Sequence, residues 1–577
     1  MNLKQLKQAS LYALFLVVIN LLFLFIFGPK HTLVGLILGL GNIIFLKRDF
    51  TGRFMYRYVT FLAINLTLGL MSYCAHLNIY VGLLINFFAV FFTTFTYMND
   101  FRQPTSFTFL MSYIFMYSVP LTHLELPTRL LAITLSITII MFTQLLLNRN
   151  TFKHQSTDLI KTIITELNQQ LENSLTKHYD HALSIHIHAK IRTLIILINE
   201  RHPHTFKHHH TNEINVFHIA LCLSKLNLMI SNKEVAQQIT PFHYEFFNHL
   251  QKQLSYLEQY FNKQISLTQL NVHLHDFIKK YEPSKLNDHL IDEVIYAVLI
   301  FSESLNPSPK NKDHIFEKIF KTIQVSSSFH LIETMKKHFN IKSLRLRYSI
   351  RLATAISVSI FLVSVFQIKY PHWVVISIYV VLQPYREDSV AKAKKRFIGV
   401  TAGAILYFVT FTIVKESIPK PFILFTVLTG YYYFTDYTKK AMMMTLVALT
   451  SISFVEKIGY LSVTRFILMF VGICLALLFN RYLLPYHKED STQELTTKYK
   501  KNTKLMQKEL HALESNTSNI GHLLKYVMLQ TLLEQKLIQD AHKQTVPQIE
   551  EMLYDQSMKL NEGNHKFLQY YYQNFYK

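Results

Sequence analysis

Residues 58–99 read YVTFLAINLTLGLMSYCAHLNIYVGLLINFFAVFFTTFTYMN and carry no formal charge, His76 aside. A membrane-crossing helix needs about 20 residues. The stretch is too long for one crossing and right for two, so it predicts a helical hairpin with its turn near His76, Leu77 and Asn78. The flanking sequence repeats the pattern. From Lys7 to Arg149 the chain is overwhelmingly apolar, and small clusters of charge divide it into six pieces. They predict spans over 11–27, 32–46, 58–75, 79–98, 105–121 and 129–147. After residue 345 the pattern returns, with spans predicted over 348–368, 373–385, 397–414, 421–435, 441–456 and 463–484. The first span follows Lys4 and Lys7, as a signal peptide would. No small-residue cleavage site follows it and another apolar segment starts at once, so it reads as a transmembrane helix.

Composition agrees. Half of the 577 residues are hydrophobic, Gly and Pro are scarce, and Trp occurs once, at Trp373. That suits long helices and argues against β-rich or disordered chains. The formal net charge of +22 would point to nucleic acid in a soluble protein. Here the basic excess gathers at the ends of apolar segments, where it faces anionic membrane lipid, and no nucleic-acid motif is present. Cys74, Cys222 and Cys474 form neither a disulfide framework nor a zinc spacing. The histidines at 186, 188, 202, 204 and 208–210 lack a fixed spacing to Cys or carboxylates and read as a solvated loop, so no metal and no cofactor is expected. No P-loop, HExxH, GxSxG or dinucleotide fingerprint occurs, which argues against an enzyme or an ATP-driven pump.

Loop charge sets the orientation. Lys47, Arg48, Arg53 and Arg57 lie in one loop, Arg102 in another, and Arg386, Lys392, Lys394, Lys395 and Arg396 in a third, while the alternate loops are poor in basic residues. The positive-inside rule then places both termini and both large polar regions in the cytoplasm. Several short matches recur in the same order in both halves: Pro29-Lys30-His31 with Pro371-His372, Arg57-Tyr58 with Arg396-Phe397, Thr128-Arg129 with Thr464-Arg465, and Asn148-Arg149 with Asn480-Arg481. The expected fold class is an all-α membrane protein of two parallel six-helix transmembrane repeats, each followed by a cytoplasmic helical domain. The domains fall at 1–149, 150–345, 346–485 and 486–577. Ser491-x-x-Glu494 reads as a capping box opening the last of them.

The second half carries a longer pattern: Arg345 and Arg351-Leu352-Ala353, then His372-Trp373-Val374-Val375 running on to Gln383-Pro384, then Arg396-x-x-Gly399-x-x-x-Gly403. This run resembles the fusaric-acid-resistance-like (FUSC) family of membrane transporters, which includes the aromatic acid exporters. The resemblance covers 345–484, and the first half matches only as a degenerate copy. Val400 stands where the family usually has Thr, and Thr60 and Ile64 stand where the first half would have glycines. The resemblance implies proton-motive export of aromatic or amphipathic carboxylates across the plasma or inner membrane.

The pieces 32–46 and 373–385 cover only about 20 Å each at 1.5 Å per residue, short of a roughly 30 Å core. Short segments at matching positions of two halves point to a substrate site. Lys47, Arg48 and Arg386 at their ends make a cationic vestibule or else snorkel to the interface. Arg129 and Arg465 open the last span of each half against the charge trend. They line an exit or pair with acids, Glu125 and Glu456 being the candidates. Arg396, Trp373 and Gln383 complete the expected substrate pathway, while Gly399, Gly403 and Pro384 are assigned to helix packing. The partners expected are a small organic anion and lipid, with a homo-oligomer open. A passive anion channel and a membrane scaffold or sensor remain alternatives to an exporter.

Overall fold

The computed structural model describes residues 3–28, 30–31, 41, 50–51, 54–98, 105–176, 180–201, 211–231, 240–282, 288–306, 339–414, 420–452, 458–514, 520–541 and 545–562. Among them there is no strand. The chain divides into two compact units, one of Met1–Asn148 with Phe329–Ser491, the other of Arg149–Ser328 with Thr492–Lys577.

The first unit holds α1 (Leu3–Phe27), α2 (Phe54–Leu77), α3 (Ile79–Tyr97), α4 (Ser106–Ser118) and α5 (Leu126–Asn148). Further along the chain it holds α12 (Leu344–Val365), α13 (His372–Val381), α14 (Arg386–Val414), α15 (Lys420–Tyr433), α16 (Tyr437–Ile452) and α17 (Ile458–Tyr482). The hairpin of 58–99 is α2 and α3 with Asn78 alone between them. Asn78 is extended and its side-chain oxygen accepts from the Tyr80 and Val81 amides, which caps and so starts α3. By length and apolarity α1, α2, α3, α5, α12 and α17 are long enough to cross a membrane. α4, α13, α15 and α16 are too short for that test, at 13, 10, 14 and 16 residues. α14 has the length but opens with a charged run.

Packing in this unit follows a reciprocal scheme. α1 lies along α15, and α12 lies along α3. α2 packs on α4 and α5, as α14 packs on α16 and α17. Gly399 and Gly403 sit where α14 meets α16. A Cβ at Gly399 would stand 2.5 Å from the Thr438 carbonyl oxygen, and one at Gly403 2.7 Å from that of Met442. Only glycine lets the two backbones come this close.

The second unit holds α6 (Thr151–Leu175), α7 (His181–Arg201), α8 (Thr211–Ile230), α9 (Pro241–Phe261), α10 (Leu267–Lys280), α11 (His289–Leu305), α19 (Ile520–Asp540) and α20 (Val546–Glu562), with most of α18 (Lys488–Glu514). α7 and α8 are apolar enough to pass as membrane spans by composition. Their side chains, among them Ile191, Leu194, Ile198, Ala220, Leu223 and Leu226, form the core of this unit, and a helix buried on most sides reads in sequence as a span does. Residues 492–577 are part of the same unit. Glu534 of α19 meets the His188 ring at 3.3 Å and the Arg192 guanidinium at 3.8 Å, both on α7, and accepts from the Tyr499 hydroxyl at 3.4 Å. Arg192 also pairs with Glu550 of α20 at 3.2 Å.

Three local expectations change. α18 starts at Lys488, so Ser491 is inside the helix, where its hydroxyl meets that of Tyr385 at 3.1 Å instead of opening a capping box. His186 and His188 are on helix α7 facing Glu166 and Glu534 rather than in a loop. The histidines at 202–210 lie outside the described residues. Among the described residues no group of His, Cys, Asp and Glu is arranged to hold a metal.

Candidate functional site

α13 is the shortest helix of the first unit described here, and its end is built by proline. Pro384 pushes the residue before it out of the helical region, and Leu382 is already extended at the C-cap. The carbonyls left without helical partners are taken up by α12. Tyr348 Oη donates to the Leu382 carbonyl at 3.2 Å. Arg351 Nη2 donates to those of Gln383 at 2.8 Å and Pro384 at 2.6 Å, and its Nη1 to that of Leu484 at 3.2 Å. The Gln383 amide side chain turns back to the Val380 carbonyl at 2.9 Å, so it belongs to the turn. Arg386 was expected to end the span. It opens α14 instead, with its backbone N–H on the Tyr486 carbonyl and its own carbonyl accepting from Asn480. Glu387 and Asp388 follow in the first turn, where the helix dipole favours acids. They pair with His487 at 2.6 Å and Lys488 at 2.8 Å.

Two arginines read from sequence as helix-end charges lie inside helices. Arg396 is about three turns into α14, and Arg465 about two turns into α17, at 3.6 residues per turn. Both are buried, at 6% and 5% exposure, and Trp373 beside them is 1% exposed. α13 brings them together. Arg396 Nη2 donates to Ser377 Oγ at 3.3 Å and its Nη1 to Tyr437 Oη at 3.4 Å. The Arg465 guanidinium lies 4.9 Å from the centre of the Trp373 ring. Trp373 and Ser377 are one turn apart on the same face of α13. The two cations are near enough to repel each other. Among the described residues no carboxylate forms an ion pair with either. Arg396 Nε, Arg465 Nε and Trp373 Nε1 are buried and reach no hydrogen-bond acceptor there. An uncompensated buried charge is costly, and an arrangement of two cations with three free N–H donors is chemically complementary to an anion.

Gly472 makes the approach possible. It is two turns beyond Arg465 on the same stripe of α17, and a Cβ there would stand 2.7 Å from both the Val374 carbonyl oxygen and Ser377 Cβ. Gly472 and Ala476 form a small-xxx-small pair on α17, a packing signal that the sequence reading did not use. Ser377 sits within the quoted motif without an assigned role, and Tyr437 carries no signal at all.

The first half treats its counterpart charges differently. Arg129 is 1% exposed in the first turn of α5. Its Nε donates to His31 Nδ1 at 2.9 Å and its Nη2 to the Lys30 carbonyl at 3.0 Å. Glu125, expected as its partner, takes Lys30 at 2.6 Å instead. Arg57 lies 4.7 Å from the Phe50 ring centre. Lys47, Arg48 and Glu456 lie outside the described residues. Of the expected pathway residues, the structure brings Arg396, Arg465 and Trp373 together and leaves Arg129, Gln383 and Arg386 elsewhere.

The region around the buried arginines matches a known family. Residues 357–479 match the family described as fusaric acid resistance protein-like, within the 345–484 that the motifs mark. No curated protein and no solved structure matches the chain. Trp373, Ser377, Arg396, Arg465 and Gly472 all fall inside the matched stretch, so the part of this multi-pass membrane protein that is similar to the fusaric acid resistance protein-like family is the part that carries the buried arginines.

Proposed function

We propose that this protein is a secondary transporter that moves small organic anions, aromatic or amphipathic carboxylates among them, out across the plasma or inner membrane. The observation that carries this reading is the buried pair Arg396 and Arg465, held against Trp373 and Ser377 with no carboxylate partner among the described residues. Ionisable groups inside a membrane bundle mark pathways because burying them there is costly unless function uses the charge. Lys392, one turn before Arg396 on α14 and 5.4 Å from the Tyr437 ring, leads into the pair from the basic end of the helix. With both termini and the second unit in the cytoplasm, that end faces the anion's source.

The reciprocal packing of α1 on α15 and α12 on α3 supports a parallel repeat, with the anion site developed in the second copy. Cells carrying the parent should resist toxic organic acids, and Arg396→Gln or Arg465→Gln at matched membrane levels should remove that resistance. Efflux against a gradient that stops on adding an uncoupler identifies a driven exporter. Equal resistance from parent and both variants would refute the anion pathway.

A further inference from the structure

The charge count at the site reaches beyond an anion of unspecified valence. Arg396 and Arg465 together bring two positive charges, and Lys392 stands one turn away. Lys392 has Asp388 within electrostatic reach, whereas among the described residues the two arginines pair with no acid. Their inner partners are neutral: the Ser377 hydroxyl, the Tyr437 hydroxyl and the Trp373 ring. A monoanion bound between the guanidiniums would cancel one charge and leave the other buried and unpaired, which remains expensive. A ligand with two negative charges cancels both.

The donor geometry agrees. Arg396 Nε, Arg465 Nε and Trp373 Nε1 are three N–H groups without acceptors, carried by three different helices. One carboxylate docked on one guanidinium fork uses donors from a single side chain. Donors arriving from α13, α14 and α17 are better matched by acceptors at two separated points. Arg129, the counterpart of Arg465 in the first half, is not available in the same way, because its Nε and Nη2 are already spent on His31 and the Lys30 carbonyl.

We propose that the Arg396–Arg465 site selects dianions, such as dicarboxylates, over monoanions of the same skeleton. This rests on the anion-transport reading and goes further by fixing the charge of the preferred ligand. The test uses the full chain in nanodiscs and three probes that share a ring: benzamide, benzoate and phthalate, at a pH where both phthalate carboxyls are ionised. Binding is read by calorimetry and by the fluorescence of Trp373, the only tryptophan in the chain.

Phthalate should bind on the order of tenfold or more tighter than benzoate, as expected for one additional close charge pair, and benzamide should not bind. Arg465→Gln should weaken binding of both anions and remove the phthalate preference, so that the two bind alike, while Arg465→Lys, which retains the charge, should keep part of that preference. Elution as a single folded species by size exclusion is required of each variant. If benzoate and phthalate bind the parent equally, the dianion rule is overturned while the anion reading stands. If Arg465→Gln keeps the full phthalate preference, the rule is overturned for this site. If neither anion binds, both readings are overturned together.

Discussion

Arg351 gives the sharpest test of how the break after α13 is held. Its side chain is fully buried and donates to three backbone carbonyls, those of Gln383, Pro384 and Leu484. Arg351→Met preserves much of the length and apolar bulk but removes all three bonds. An orphaned buried acceptor costs about 1–3 kcal/mol. The Leu382–Tyr385 turn retains some access to other donors, such as the Ser389 hydroxyl, which reaches the Gln383 carbonyl at 3.4 Å, so a total of about 3–6 kcal/mol is expected for the three acceptors. Arg351→Lys keeps a charge and can satisfy one or two of the carbonyls, so its loss should be smaller. Purified protein in detergent would be heated while Trp373 fluorescence is followed. Trp373 lies on the helix that the broken turn terminates, so its environment should loosen early. The expected order of melting is parent, then Arg351→Lys, then Arg351→Met. A methionine variant that melts with the parent would show that the carbonyls are satisfied without the guanidinium, and the account of this turn would fail.

Other predictions are as direct. Gly403→Leu forces a side chain into the Met442 backbone and should cost about 1–3 kcal/mol or more, read as lower membrane yield; unchanged yield and transport would mean the helices part freely there. Glu534→Gln takes the carboxylate from His188 and Tyr499 while Arg192 keeps Glu550, and should destabilise the second unit by about 1–3 kcal/mol, seen as faster hydrogen exchange in α19 and α20. Arg386→Ala should reach the membrane and weaken resistance to organic acids, since the residue opens α14, the helix that carries Lys392 and Arg396; equal efflux at matched expression would remove it from the pathway. A cysteine at Asn78 should be labelled from outside intact cells and one at Asn262 only after permeabilisation; labelling of Asn262 in intact cells would reverse the topology.

The hairpin of 58–99 was legible because two simple signals coincide, a long uncharged run and an asparagine where a helix must restart. The break at Gln383-Pro384 was missed: the predicted span ran on to 385 and Pro384 was assigned to helix packing, although proline acts through local sterics and the helix ends at Val381. What holds the break was not legible, because Arg351 comes from α12, more than thirty positions earlier in the chain, and only the fold brings it there. The two buried arginines expose a limit of reading spans from charge. If charges are taken as boundaries, any charge buried inside a span is placed at its end, and the helix is shortened to fit. That is why α14 and α17 start earlier than the predicted 397 and 463. The residues that defeat the parsing are the ones with the strongest claim to function. Gly472 was passed over although Gly472-x-x-x-Ala476 marks a packing face; which neighbour that face admits, α13, only the fold decides.

The crossed packing of α1 on α15 and α12 on α3 bears on how the protein is made. α1 leaves the ribosome long before its principal companion, which begins at Lys420. At roughly 5–20 residues per second, synthesis of the intervening chain takes on the order of 20–80 s. During that interval a helix with few intrinsic charges waits in lipid, its future contact face solvated by acyl chains. The whole second unit up to Ser328 is translated in between. Maturation is therefore a late docking event, and neither stretch of helices can complete itself alone. A chain cut within 150–328 should still assemble when both fragments are co-expressed, while either fragment by itself should be cleared by membrane proteases.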